Sequence, residues 1–310
     1  MARISMRSVQ KSTFEQIFSL YLSAAAAKGV KDKTLDTYKQ HFRAISKRLD
    51  VTTPMEKLTS DDLDLMILRM REEQLSDNSI NSYTRTLKVF FSWCNEEGHS
   101  DLNLRIYKAA ETVKEVYSDE ELLILLKKPR ADCNFCEYRN WVIVNFFLNS
   151  GCRAATVRNI QNQDVDLLRR QIVLRHTKNG KSQVIPLCNS MVTILRDYMA
   201  VREGGASDYL FCNEFGDFLT ENALRLAIAK YNTARGVERT SLHAFRHTFA
   251  RKYLVDCGGD AFSLQKLMGH STLKMTRHYC NIFNNDIVES HEQRSPLAQI
   301  TKPKRETIKM

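Results

Sequence analysis

Arg153, Lys178, His243, Arg246, His270 and Tyr279 follow one another along a 310-residue chain, each in a context that suits one chemistry. The contexts read S-G-C-R at 150–153, T-K-N-G-K at 177–181, H-A-F-R-H-T at 243–248 and L-M-G-H-S-T-L-K-M-T-R-H-Y at 267–279. Two arginines, two histidines, a lysine and a late tyrosine supply a phosphate clamp, proton donors and a nucleophile. Cutting a phosphodiester with a tyrosine needs that set.

Each member also has a commonplace explanation. His243 and Arg246 lie three apart, so a helix carries both on one face. Arg246 then offers a planar fork for two phosphate oxygens, and His243 donates to the same phosphate or exchanges a proton with the nucleophile. H-x-x-R is nonetheless common on capped surface helices. Arg153 follows a Ser-Gly turn and can project into a cleft, or it can complement the dipole at a helix C-terminus. Lys178 adjoins Asn179-Gly180 and can act as a general acid once its surroundings lower its pKa. Lys181 is a rival for that role, and either lysine can be a solvated turn residue. His270 follows Gly269 and precedes Ser271, a candidate N-cap, so it can reach a phosphate oxygen or the leaving group. Tyr279 is the nucleophile candidate, and its ordinary fate is an amphipathic core tyrosine. His278 and Cys280 are weaker alternatives.

The elements that must position these groups are mostly helical. Residues 13–97 predict a small four-helix bundle. Thr13 with Gln16 forms a capping-box pattern, followed by Phe14, Ile17, Phe18, Tyr21 and Leu22 at helical spacing. A second helix is expected over 32–49. A third is expected after Thr59 or Ser60, and a fourth runs from Ser76 or Asp77 to a stop at Gly98. Lys31, Lys33, Lys39, Arg43, Lys47, Arg48, Arg85 and Lys88 occupy the polar sides, either solvated or facing a polyanion.

Residues 98–117 predict a linker. Ser118 then caps a helix with Glu120 and Glu121 in its first turn. An apolar helix is expected at 138–149, and strands at 171–176 and 182–187 are separated by the Asn-Gly hairpin signal. Further helices are expected at 189–202, 220–232, 243–256, 260–268 and 272–283. The tail, 291–310, is polar.

Lysine and arginine outnumber acidic residues, 46 to 36, for a net charge of +10 and a pI near 9.2. That balance favours a polyanionic partner, because each cation that meets a phosphate releases counterions. No apolar run reaches the roughly 20 residues of a membrane span. The first residues lack the apolar core of a signal peptide, so a cytoplasmic location is expected. Cys133 and Cys136 form a lone C-x-x-C with no second pair to complete a zinc site.

Together these motifs resemble the tyrosine recombinases of the phage integrase family, with the order R…K…H-x-x-R…H…Y intact. The resemblance implies a mainly α fold: an N-terminal SAM-like, core-binding bundle at 13–97, then a mixed α/β catalytic domain at 118–290 with a small sheet. It implies Tyr279 as nucleophile, Lys178 as general acid and a 3′-phosphotyrosine intermediate, with no metal or other cofactor. The implied partner is double-stranded DNA with paired recombination sites, bound by a homotetramer with possible accessory proteins. A type IB topoisomerase or an inactive DNA-binding regulator of the same fold are the alternatives. The family often carries an acid three positions after its first arginine; Thr156 stands there instead. Ile282, Phe283, Ile287 and Val288 form an apolar stripe that resembles the segment by which such enzymes link subunits.

Overall fold

The computed structural model describes residues 12–104, 115–175 and 182–282, together with Ser295, Leu297 and Ile300. Lys178, Lys181, the Asn179-Gly180 turn, Phe283, Ile287 and Val288 lie outside the described residues, as does most of the 291–310 tail. The chain divides into two compact units, Met1–Thr112 and Val113–Met310.

The first unit holds α1 (Phe14–Ala27), α2 (Asp32–Ile45), α3 (Ser60–Glu72) and α4 (Asp77–Glu96). Thr13 and Gln16 form the expected reciprocal capping box, which satisfies two of the amide groups that a helix start leaves without partners. Thr59 and Ser76 cap α3 and α4 through their hydroxyls. The core is aromatic: Phe18 stacks on Phe42 at 4.4 Å, and Phe14 meets Phe90 edge-on at 5.3 Å. Expected to reach Leu49, α2 stops four residues earlier. Leu49 still donates its amide to Ile45 and is buried, so the apolar period outlasts the helix because one more turn packs on the core.

The second unit adds α5 (Asp119–Leu126), α6 (Phe135–Ser150), α7 (Ala154–Arg158), β1 (Val165–Asp166), β2 (Gln171–Leu174), β3 (Gln183–Pro186), α8 (Asn189–Arg202), α9 (Glu221–Thr233), α10 (Leu242–Leu254), α11 (Ala261–Met268) and α12 (Leu273–Ile282). The strands form an antiparallel sheet in the order β1-β2-β3, with Leu174 opposite Gln183 and Ile172 opposite Ile185. Three local readings change. Two-residue β1 and five-residue α7 went unforeseen, since neither is long enough to show a period. Arg153 is the residue before α7 rather than the cap of α6, which ends on Gly151. Ser271 is not the immediate cap of the last helix, which starts at Leu273.

Helix α6 is buried almost all round, from Arg139 to Ser150, and α10 is buried without a break from Ala244 to Ala250. A helix apolar on every side belongs in the centre of a domain. The two pack against each other, with Phe147 stacked on Phe245 at 5.8 Å. Both therefore form the rigid floor on which the polar residues of α10 stand. No described helix is long and apolar enough to cross a membrane.

Candidate active site

Arg246 is the hub. It is 3% exposed and leaves α10 beside the end of α6. Its Nη1 donates to the Gly151 carbonyl at 2.6 Å, and its Nη2 donates to the Met268 carbonyl at 3.0 Å. Both acceptors lie at helix ends, where carbonyls lack helical partners. Gly151 takes a left-handed φ of 59°, and a Cβ added there would meet a Phe249 ring carbon at 2.3 Å. Only glycine lets the chain turn at that point and still present its carbonyl to Arg246.

The same Nη2 lies 2.7 Å from His270 Nε2. An arginine only donates, so Nε2 accepts and the ring proton sits on Nδ1. Nδ1 then donates to the hydroxyl of buried Thr276 at 2.8 Å. Burial, Arg246 and Arg153 together push His270 down to about 4, so its ring is neutral near pH 7. Burial and Arg153 also pull Arg246 below its ordinary value, yet a guanidinium stays charged in proteins.

Tyr279 completes this cluster. It is 6% exposed, and its ring stacks on His270 at 5.9 Å with 9° between planes. Its hydroxyl lies 3.1 Å from His247 Nδ1 and close enough to Arg246 to feel its charge. Burial raises the phenol's pKa while Arg246 and Arg153 oppose that rise. The two arginines thus favour the phenolate that a nucleophile must become.

Beside this cluster opens a cavity of about 360 Å³. Arg153, Thr156, Gln183, Lys266 and His270 are among its lining residues. The Arg153 guanidinium has neither a hydrogen-bond nor an ion-pair partner among the described residues, so its donors are available to an anion. Thr156 is 8% exposed in α7, and its hydroxyl makes no hydrogen bond among the described residues. The far wall is fixed by Gln183 of β3, whose Nε2 donates to the carbonyls of Lys266 and Leu267 at 2.6 and 2.8 Å.

Arg153, Arg246, His270 and Tyr279 are therefore brought to one place. His243 lies one turn before His247, the two rings edge-to-face at 5.6 Å. Lys178 follows β2 in the sequence and lies outside the described residues, as do the side chains of His278 and Cys280. His247 is the group that spacing alone did not single out. Its signal was its place beside Arg246 and four residues after His243. Cys133 and Cys136 are free thiols, and among the described residues no group of three or more His, Cys, Asp or Glu is placed to hold a metal.

In the first unit, Tyr21, Tyr38 and Trp93 line an open groove of about 610 Å³ with Lys28, Arg85 and Lys88 at its edges. Arg48, expected on the basic face, is instead paired with Glu73 and donates to the Ala44 carbonyl.

The phage integrase family model matches residues 115–285, and the model of that family's N-terminal SAM-like domain matches 18–98. Tyrosine recombinase XerC of Thermodesulfovibrio yellowstonii is 25% identical over 276 residues, covering 83% of this chain and 91% of that protein. Tyrosine recombinase XerA of Pyrococcus furiosus is 25% identical over 247 residues, covering 78% and 83%. The fold is similar to that of a lambda integrase tetramer bound to a Holliday junction, with a TM-score of 0.72 and 20% identity over 88% of this chain and 78% of that one. It is also similar to the Tn1549 transposon integrase in complex with transposon right end DNA, with a TM-score of 0.73 and 20% identity over 90% and 99%.

Proposed function

This chain belongs to the phage integrase family and is a tyrosine recombinase, an enzyme that cleaves and rejoins DNA, and from that premise we propose which of its residues do so and in what order. The observation that carries the reading is the meeting of Arg153, Arg246, His270 and Tyr279 beside one open cavity. A scissile phosphate enters that cavity and takes the donors of Arg153 and Arg246. Tyr279 Oη attacks phosphorus, the bond to the 5′ oxygen breaks, and a 3′-phosphotyrosine forms. The two guanidiniums stabilise the charge that builds on the pentavalent phosphorus, a role usually worth about 3–4 kcal/mol per donor. Lys178 protonates the leaving 5′ oxygen. A 5′-hydroxyl from the partner strand then attacks the phosphotyrosine and releases Tyr279.

A phosphate between Arg246 and His270 displaces His270 as the acceptor of the guanidinium. Its negative charge favours a proton on Nε2, which then donates to the phosphate. His243 shares that positioning. Because Tyr279 is buried beside the cavity and does not line it, attack also requires its hydroxyl to move toward the phosphate.

Both units contribute to binding. The groove edged by Lys28, Arg85 and Lys88 suits a DNA backbone, with Tyr38 and Trp93 giving it shape. The substrate is double-stranded DNA with paired sites, the working assembly is a homotetramer, and the location is the cytoplasm, where that DNA is found. The reaction integrates, excises or resolves a DNA element. The deciding test is a nicked duplex whose cleaved end diffuses away, which traps the covalent adduct. The wild type is expected to accumulate adduct. Tyr279→Phe is expected to form none while binding DNA within a few-fold, and an adduct that persists in that variant refutes the assignment.

A further inference from the structure

Thr156 carries a buried hydroxyl that the protein itself does not use. A threonine in a helix can turn its hydroxyl onto a carbonyl one turn back. The other buried threonines among the described residues do so or meet a ring nitrogen. Thr84 donates to the Asn81 carbonyl at 3.2 Å, and Thr248 to that of Ala244 at 2.8 Å. Thr86 and Thr276 place Oγ1 2.7 and 2.8 Å from the Nδ1 atoms of His41 and His270. Thr156 is 8% exposed, and its Oγ1 has no hydrogen-bond partner among the described residues. Buried polar groups are rarely left so, and each one that is calls for a reason. Capping is not that reason. Thr156 stands three residues after Arg153, the residue before α7, where a side chain can reach back to the cap amide, yet α7 has no side-chain cap hydrogen bond.

The cavity supplies the reason. Thr156 lines it together with Arg153, whose guanidinium is likewise without a partner among the described residues. The Thr156 amide donates to the Arg153 carbonyl at 2.9 Å, which holds the two residues on one turn. No aspartate or glutamate is among the lining residues, whereas Arg153 and Lys266 bring positive charge. The space therefore suits an anion, with one charged and one neutral donor set a turn apart.

We propose that Thr156 is a further catalytic residue, whose hydroxyl donates to the non-bridging oxygen of the scissile phosphate that Arg153 holds. The proposal rests on the recombinase reading. The hydroxyl keeps its proton throughout. Its hydrogen bond strengthens as charge builds on that oxygen, while Tyr279 Oη bonds to phosphorus and the bond to the 5′ oxygen breaks. The acid that the family often carries here would only accept when ionised, and its charge would have the phosphate's own sign. Threonine donates instead, so this departure from the family pattern changes how the cavity grips its anion.

The test uses nicked duplexes carrying the site that the wild-type protein selects from a random-sequence pool. The scissile position holds either an ordinary phosphate or a stereopure phosphorothioate, Rp or Sp, whose sulfur accepts hydrogen bonds poorly. Adduct formation is timed for wild type, Thr156→Ser and Thr156→Val. On phosphate, Thr156→Val is expected to be slower by about 10²-fold, the lower end for a lost oxyanion donor, with DNA affinity within a few-fold of wild type. Thr156→Ser keeps the hydroxyl and should stay within about tenfold. On one phosphorothioate isomer the valine penalty should shrink at least tenfold, because wild type has lost the same contact; on the other it should persist. A valine rate within threefold of wild type on phosphate overturns the proposal. An equal valine penalty on both isomers also overturns it, since a structural role slows every substrate alike. If the valine protein fails to bind the site, Thr156→Ala takes its place and the same comparison of isomers decides. Absence of adduct in the wild type on ordinary phosphate refutes the recombinase reading, a result distinct from any of these.

Discussion

His270 makes the second unit sensitive to acid, by an amount that the structure sets. Its folded-state pKa lies near 4 chiefly because the ring is buried, and further because the positive charges of Arg246 and Arg153 oppose its protonation. An unfolded histidine titrates near 6.5. Between those values the unfolded chain binds the proton and the folded chain does not, so stability falls as pH falls. The loss begins as pH drops through about 6.5 and levels off below about 4. From pH 7 to pH 5 the two values give about 2 kcal/mol. His270→Gln removes the titrating group, so its stability is expected to fall less over that range by the same amount.

The measurement is urea unfolding followed by tryptophan fluorescence. The chain has two tryptophans, Trp93 in the first unit and Trp141 in the core of the second. In a Trp93→Phe background, Trp141 reports the second unit alone. The comparison is the pH 7 to pH 5 difference with and without His270→Gln. If the two differences agree within about 0.5 kcal/mol, the Arg246–His270 contact does not hold the ring neutral, and the argument fails.

Gly151→Ala is expected to destabilise the second unit by about 2–4 kcal/mol, combining left-handed strain with overpacking against Phe249. Gly236→Ala, which has positive φ and nothing within 4 Å, should cost only about 1–2 kcal/mol in the same assay, and equal losses would remove the Phe249 clash. Lys178→Ala should slow cleavage of ordinary DNA and regain much of its rate on a substrate with bridging 5′ sulfur, because a thiolate leaves without an acid. Arg246→Ala should show no such rescue, and rescue of Lys181→Ala instead would transfer the role. Replacing Lys28, Arg85 and Lys88 by glutamine should weaken DNA binding and flatten the slope of log affinity against log salt by about 2–3; an unchanged slope would mark those residues as merely solvated.

The sequence by itself determined the helices of the bundle, because Thr13, Thr59 and Ser76 are local caps and Phe14, Ile17, Phe18 and Tyr21 repeat with the helix period. It also determined the chemistry on offer, since a phosphate clamp and a nucleophile are legible in residue types and order. It could not show β1 or α7, which are too short to carry a period, nor that Arg48 is spent on Glu73. Above all, it could not say which groups meet. Gly151, Arg246, Met268, His270 and Tyr279 span more than a hundred residues, and only the packing of α10 against α6, α11 and α12 joins them. Protonation states follow from that meeting. His270 is neutral because it is buried and a guanidinium occupies its lone pair, and the Tyr279 hydroxyl comes within hydrogen-bond reach of His247 because α12 packs on α10. Local pattern selects side chains and helices, whereas burial and the direction of a hydrogen bond exist only between elements distant in the chain.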